Sequence, residues 1–138
     1  MNSLLNPYIS FKDNARAAMD FYKTVFGGNL DMSTFKEGGM PTDPASENLI
    51  MHAKLTADNG ITFMAADTPP GMEFKEGSNI SISLSGENEE ELRGYWNKLV
   101  EGGKINMPLE KSPWEDTFGM LTDKFGINWM VNITAKKE

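Results

Sequence analysis

The chain has 138 residues, with 13 Lys+Arg against 20 Asp+Glu (13 − 20 = −7), one histidine and no cysteine. That length suffices for one domain that folds without a metal or disulfide staple, and the lack of Cys removes thiolate zinc sites, thiol nucleophiles and disulfide frameworks. The acidic balance without a basic stripe argues against a nucleic-acid partner, and no signal peptide or membrane span is legible, so a cytoplasmic protein is expected.

Leu4–Phe11 reads as a first strand. Asp13 or Asn14 can cap a helix whose apolar positions Ala15, Ala18, Met19, Tyr22 and Phe26 follow helical spacing, and Gly27-Gly28 ends it. Asn29–Phe35, Asn48–Leu55 and Ile61–Ala66 read as strands, the last two joined by an Asp58-Asn59-Gly60 turn. Two segments break the pattern: Lys36–Glu47, with Gly38, Gly39, Pro41 and Pro44, and Thr68–Gly77, with Pro69, Pro70 and Gly71. Asn79–Ser85 alternates polar and apolar residues without a break, the mark of a strand buried on one face. Asn88 with Glu91 forms a capping-box pattern before a second helix, whose buried stripe is Leu92, Tyr95, Trp96, Leu99 and Val100. Glu87, Glu89, Glu90 and Glu91 crowd its start, where the helix macrodipole favours acidic groups. Gly102-Gly103 ends that helix, and strands near Lys104–Leu109, Phe118–Thr122 and Ile127–Thr134 follow.

The two halves repeat each other. Phe21–Leu30 aligns with Trp96–Ile105 at an offset of 75 residues, each a helix end, a glycine pair and a strand start. Leu55–Met64 aligns with Leu121–Met130 at an offset of 66. A duplicated strand-helix-strand-strand-strand (βαβββ) module results, about 1–68 and 78–138 around a linker at about 69–77. A lone βαβββ unit would leave one sheet face and two edges open, so the whole of 1–138 is expected to be a single domain.

Alternation sorts the side chains. Leu5, Pro7, Ile9 and Phe11, then Leu49, Met51, Ala53 and Leu55, then Ile61, Phe63 and Ala65 are expected to face the first helix. Ile80, Ile82 and Leu84 with Ile127, Trp129, Val131 and Ile133 are expected to face the second. The opposite face then carries Asn6, Tyr8, Ser10, His52, Thr62 and Met64 in one half, and Asn79, Ser81, Ser83, Asn128, Met130 and Asn132 in the other. It is polar, almost uncharged, and dotted with Met and aromatic side chains, which suits the wall of a ligand-binding cup. Met64, Met120 and Met130 supply adaptable lining.

Four stretches bear a resemblance: Asn14-Ala15-Arg16-Ala17-Ala18-Met19-Asp20-Phe21-Tyr22, Met51-His52-Ala53-Lys54-Leu55, Trp114-Glu115-Asp116-Thr117-Phe118-Gly119 and Thr122–Trp129. With the duplication, they resemble the vicinal oxygen chelate superfamily of glyoxalase I, extradiol dioxygenases and bleomycin-resistance proteins, and within it the PhnB-like, glyoxalase-like branch. The resemblance implies an α+β fold: two tandem βαβββ modules forming a cupped, mostly antiparallel sheet with helices on its outer face. It also implies a homodimer. The superfamily's metal positions fall at or next to Asn6, Met64, Asn79 and Met130, where amides and thioethers stand in place of imidazole and carboxylate. No metal and no cofactor is therefore expected.

His52 is the candidate general base, since imidazole suits proton transfer near neutral pH. Asp116, between Trp114 and Phe118, is expected to turn toward the cup and to pair with His52 or hold a cationic group. The ligand pocket read in this way is Asn6, Tyr8, His52, Met64, Asn79, Ser81, Trp114, Asp116, Phe118 and Met130. The function expected is metal-free small-molecule binding. The alternatives are a metal-independent lyase or isomerase with His52 as base, or a metal-dependent glyoxalase- or dioxygenase-like enzyme with non-standard ligands. A methyltransferase reading lacks a Gly-rich loop opening a helix after the first strand, because Gly27-Gly28 ends a helix instead.

Overall fold

The structure, a computed structural model, describes residues 5–39, 43–69 and 71–135. Leu4 of the expected first strand, and Pro41 and Pro70 of the expected loops, lie outside them. Among the described residues the order is β1 (Tyr8–Phe11), α1 (Ala15–Phe26), β2 (Asn29–Thr34), β3 (Ile50–Thr56) and β4 (Thr62–Asp67), then β5 (Ile82–Gly86), α2 (Glu89–Leu99), β6 (Lys104–Lys111), β7 (Thr117–Thr122) and β8 (Asn128–Ile133). The chain divides into two compact units, Met1–Glu76 and Gly77–Glu138. Each unit has its own four-stranded sheet, ordered β1-β4-β3-β2 and β5-β8-β7-β6. In each, the first and last strands pair in parallel and the remaining pairs are antiparallel.

The duplication holds in register. Tyr8 pairs with Met64, and Ser83 with Met130; 83 − 8 = 75 and 130 − 64 = 66, the two offsets of the sequence repeat. The difference of 75 − 66 = 9 residues falls between Leu30 and Leu55, a span of 55 − 30 = 25 positions against 121 − 105 = 16 from Ile105 to Leu121, and is taken up by the long β2–β3 connection. The glycine pairs serve one purpose twice. Gly27 and Gly102 both adopt φ 73°, closing the helix in the left-handed region open to glycine. Gly28 and Gly103 then lie against the carbonyl oxygens of Thr56 and Thr122, where a Cβ would have no room.

Each helix buries its apolar stripe on one face of its sheet. Ala15, Ala18, Met19, Tyr22, Val25 and Phe26 of α1 are buried, and Phe63 meets the rings of Tyr22 and Phe26 edge-on at 5.4 and 5.8 Å. Leu92, Trp96 and Leu99 of α2 are buried, whereas Tyr95 and Val100 are only half-buried. At the position equivalent to Phe63 the second unit has Trp129, whose indole N–H needs an acceptor and donates to buried Asp123 at 2.8 Å. The first unit, with Phe63, has Ala57 in the place of Asp123.

The helix starts differ. Asn88 accepts from the Glu91 amide at 3.0 Å, as the capping pattern requires. Neither Asp13 nor Asn14 caps α1, contrary to expectation: Asn14 makes no side-chain cap hydrogen bond and Asp13 adopts φ 65°. The cap comes instead from Asp67 at the far end of β4, buried to 2% exposure, which accepts from the Ala15 amide at 2.9 Å and from the Ile50 amide at 2.8 Å.

Three stretches of the expected alternation fail for identifiable reasons. Leu5 is 99% and Ile80 78% exposed, because their strands begin only at Tyr8 and Ile82, where the parallel partners β4 and β8 become available for pairing. A β-bulge skips Met51 in the β2–β3 ladder, so Ile50 is buried in place of Leu49 and Met51.

The long β2–β3 connection is tied at its base. The Lys36 amide donates to the Glu47 carbonyl at 3.1 Å, and Thr34 and Glu37 exchange hydrogen bonds, the Thr34 amide to the Glu37 carboxylate at 3.0 Å and the Glu37 amide to the Thr34 hydroxyl at 3.1 Å. Hydrogen bonding of the charged carboxylate, by the Thr34 amide foremost and then the Thr34 side chain, lowers the Glu37 pKa. Because the folded value lies below the unfolded one, the stabilisation is present above the ordinary glutamate range and fades as pH falls through the lowered value. The Thr34 amide resonance is expected to report a titration midpoint below that of an unstructured glutamate; a midpoint at or above it would contradict the capping geometry.

Candidate functional site

In the first unit, Ala53 and Leu55 turn into the core, and so β3 presents His52, Lys54 and Thr56 on the opposite face. The ladders arrange that face in rows. One runs Asp31, Lys54, Met64, Tyr8 across β2, β3, β4 and β1, and the next pairs Ser33 with His52. Tyr8, 51% exposed, brings its phenol oxygen within 3.5 Å of His52 Nδ1, with ring centroids 6.0 Å apart and tilted at 43°. The contact is long for a hydrogen bond, and its direction defines the chemistry. If the Tyr8 hydroxyl donates to Nδ1, neutral His52 carries its proton on Nε2 and offers a donor to a ligand; if Nδ1–H donates to the phenol oxygen, Nε2 is the free base.

Lys54, with Asp31 beside it in the row, brings charge to a face expected to be almost uncharged. It stands two residues after His52, exposed, between Asp31 and Met64 in its row. The alternation rule that placed His52 places Lys54 as well, so the signal was present in the sequence. Asn6 is half-buried just before β1, beside Pro7, whose carbonyl accepts from the Met64 amide at 2.9 Å.

In the second unit the corresponding face carries the row Ser83, Met130, Met120, Met107. A polar chain lies next to it: Asn106 Nδ2 donates to Thr122 Oγ1 at 2.9 Å, and Thr122 Oγ1 donates to Asn128 Oδ1 at 2.8 Å. On the other side the row is Ser85, Asn132, Phe118, Glu110. Trp114, 58% exposed, stands edge-on to Phe118 at 5.7 Å. Asn79 and Ser81 are exposed and precede β5, so strand alternation does not govern where they point.

Asp116 is engaged within its own unit. One carboxylate oxygen accepts from the Ala135 amide at 2.9 Å and the other from Asn132 Nδ2 at 3.0 Å, fastening the β6–β7 hairpin to the end of β8. The Asp116 backbone carbonyl also accepts from the Ser112 amide and hydroxyl, each at 2.7 Å. These bonds give Asp116 a structural task that its position in the sequence does not disclose.

The residues at the superfamily's metal positions do not fit a divalent ion. Met64 and Met130 are half-buried thioethers paired with Tyr8 and Ser83, and Asn6 and Asn79 offer amides. Zn, Ni, Fe and Mn sites draw on imidazole, carboxylate or thiolate, and among the described residues no group of three or more His, Cys, Asp or Glu converges. Also among the described residues, no helix is long and apolar enough to cross a membrane.

Comparison with known proteins gives the family and the fold. The family model described as 3-demethylubiquinone-9 3-methyltransferase matches residues 4–132. The crystal structure of protein PA1353 from Pseudomonas aeruginosa is 35% identical, with a TM-score of 0.85 over 98% of this chain and 100% of that one. A putative 3-demethylubiquinone-9 3-methyltransferase, PhnB protein, from Bacillus cereus is 30% identical, with a TM-score of 0.76 over 96% of this chain and 100% of that one. A glyoxylase/bleomycin resistance protein/dioxygenase domain from Frankia sp. EAN1pec shares the fold at 12% identity, with a TM-score of 0.68 over 100% of this chain and 96% of that one.

Proposed function

The chain belongs to the PhnB-like family described as 3-demethylubiquinone-9 3-methyltransferase, and on that premise we propose that it binds a small polar molecule on the sheet face opposite each helix without a divalent metal. The observation that carries this reading is the meeting of donors with a thioether in the first unit: Tyr8 and Lys54 flank Met64 in its row, His52 lies against Tyr8, and Met64 stands where a metal ligand would be required. Three donors beside an adaptable apolar side chain suit a ligand with a hydrogen-bond acceptor or an anionic group. In the second unit, Trp114, Phe118 and Met130 supply aromatic and thioether lining.

The methyltransferase description is not carried over to this chain. Gly27-Gly28 closes α1 and abuts β3, where binding a nucleotide-like cosubstrate at a helix N-terminus would require a glycine loop that opens a helix. A second reading, a metal-independent lyase or isomerase, follows from the other His52 tautomer, in which Nε2 is the base and Tyr8 or Asn6 orients the substrate.

The test is a thermal-shift screen of polar and anionic small molecules against chelator-treated protein. Hits are expected, and His52→Ala and Lys54→Ala are each expected to weaken them about tenfold, about 1.4 kcal/mol, the scale of one hydrogen bond involving a charged or polarised donor. Turnover of a substrate lost in His52→Ala, with no stoichiometric binder found, would favour the second reading. Hits indifferent to both substitutions would overturn the site.

A further inference from the structure

The chain closes hairpins with the same turn at residues 57–61, 112–116 and 123–127. In each, the amide of the first residue donates to the carbonyl of the fifth, and the amide of the fourth to the carbonyl of the first. The fourth residue takes the left-handed conformation that suits glycine: Gly60 at φ 91°, Gly126 at φ 87° and, between β6 and β7, Glu115 at φ 76°. Glu115 therefore holds a strained position that its two sister turns give to glycine, and residues kept under such strain cluster at ligand sites. Before it stands Trp114, largely exposed, its ring edge-on to Phe118 at 5.7 Å. The Trp114 indole N–H makes no hydrogen bond among the described residues, unlike that of Trp129. From Glu110 to the turn the β6–β7 ladder runs without a shift, Glu110 opposite Phe118 and Lys111 opposite Thr117. Glu110 thus shares the Phe118 face, with Cβ atoms about 4.5–5.5 Å apart, while Lys111 shares the other face with Thr117 and buried Ile133.

We infer that Trp114 and Phe118, with the carboxylates of Glu110 and Glu115 beside them, form a binding corner for an organic ammonium ion. The face of an indole attracts such a cation more strongly than other aromatic side chains do, and the carboxylates add an attraction that an uncharged ligand does not feel. Among the described residues neither carboxylate makes an ion pair or hydrogen bond. Asp116, bonded to Ala135 and Asn132, fastens the turn that presents Trp114 and Glu115. Only the premise that this sheet face takes a small molecule is shared with the proposed function.

The experiment adds choline to the full-length chain and follows the indole N–H resonances of its tryptophans, with dimethylbutanol, the uncharged carbon isostere of choline, in parallel. Choline is expected to move the Trp114 resonance and to leave those of buried Trp96 and Trp129 in place; dimethylbutanol is expected to move none. Read from the choline methyl signal, Trp114→Leu is expected to weaken binding at least about fivefold and Glu110→Gln about threefold, with affinity falling as salt is raised. Glu115→Gly is expected to weaken binding about threefold while raising the urea midpoint, a pairing that a merely structural Glu115 would not give. A Trp114 resonance indifferent to choline, an equal response to dimethylbutanol, or unchanged affinity in Glu115→Gly would overturn the inference. The resonance shifts are read on the unmodified protein, so they decide the matter even if a variant fails to fold. Choline bound as described with every screened anion refused would sustain the corner and sink the reading built on Tyr8, His52 and Lys54; anions bound through His52 with choline ignored would do the reverse.

Discussion

Gly28→Ala is expected to destabilise the protein by more than about 4 kcal/mol, enough to leave a domain of ordinary stability largely unfolded. Two independent costs combine. Gly28 adopts φ 90°, a conformation that strains any residue with a Cβ, and the new methyl would fall on the Thr56 carbonyl and the Ala57 backbone, which are main chain at the end of β3 and cannot swing aside. Gly103→Ala, 75 residues on, meets the Thr122 carbonyl and the Asp123 backbone but carries no left-handed φ, so it is expected to destabilise through the clash alone and by less than Gly28→Ala. Gly94 supplies the contrast. It lies within α2, and a methyl group added there would meet nothing within 4 Å, so Gly94→Ala is expected to stabilise by about 0.5–1 kcal/mol. Urea denaturation of the three variants checks the ranking, and a Gly28→Ala protein within about 1 kcal/mol of the parent would contradict the close packing of helix end on strand.

The second large effect is expected at Asp67. Its carboxylate accepts from the Ala15 and Ile50 amides at the start of α1 and β3. Asp67→Ala leaves both donors orphaned in the core, at about 1–3 kcal/mol each, so a loss of about 3–5 kcal/mol is expected. Hydrogen exchange should show where the loss is felt, in the first turn of α1 and at Ile50, ahead of the second unit. A cost below about 1 kcal/mol would mean that the cap is supplied from elsewhere.

Asp67 also shows what could not be read from the chain. Helix stripes, glycine pairs and the duplicated frame are local or periodic signals, and Ala15 through Phe26 or Asn128 through Ile133 announce themselves by spacing. The cap of α1 joins residues 52 positions apart, so nothing local distinguishes Asp67 from Asp13 and Asn14 as its source. Strand ends depend on where the partner stops, which is why Leu5 and Ile80 are exposed despite fitting the alternation. The bulge at Met51 reverses the face of Ile50, and a pleat rule has no means of foreseeing an extra residue.

The candidate site divides along the same line. The placement of Tyr8, His52, Met64 and Met130 on the face opposite the helices follows from alternation and was legible. Lys54 was legible by the same rule, although the run of uncharged polar residues around it masks the charge it brings to the face. The engagement of Asp116 with Ala135 and Asn132 was not legible, since it depends on the hairpin folding back against the end of β8.

On the proposed reading, ligand binding on these faces needs no divalent ion, because thioethers and amides occupy the positions where imidazole and carboxylate would be required. The most direct measurement is a calorimetric titration of one screened ligand into protein stripped with chelator and, in parallel, into protein supplied with Zn(II), Ni(II) or Mn(II). The same affinity in all samples is predicted. Binding that vanishes on stripping and returns with one equivalent of a divalent metal would contradict it.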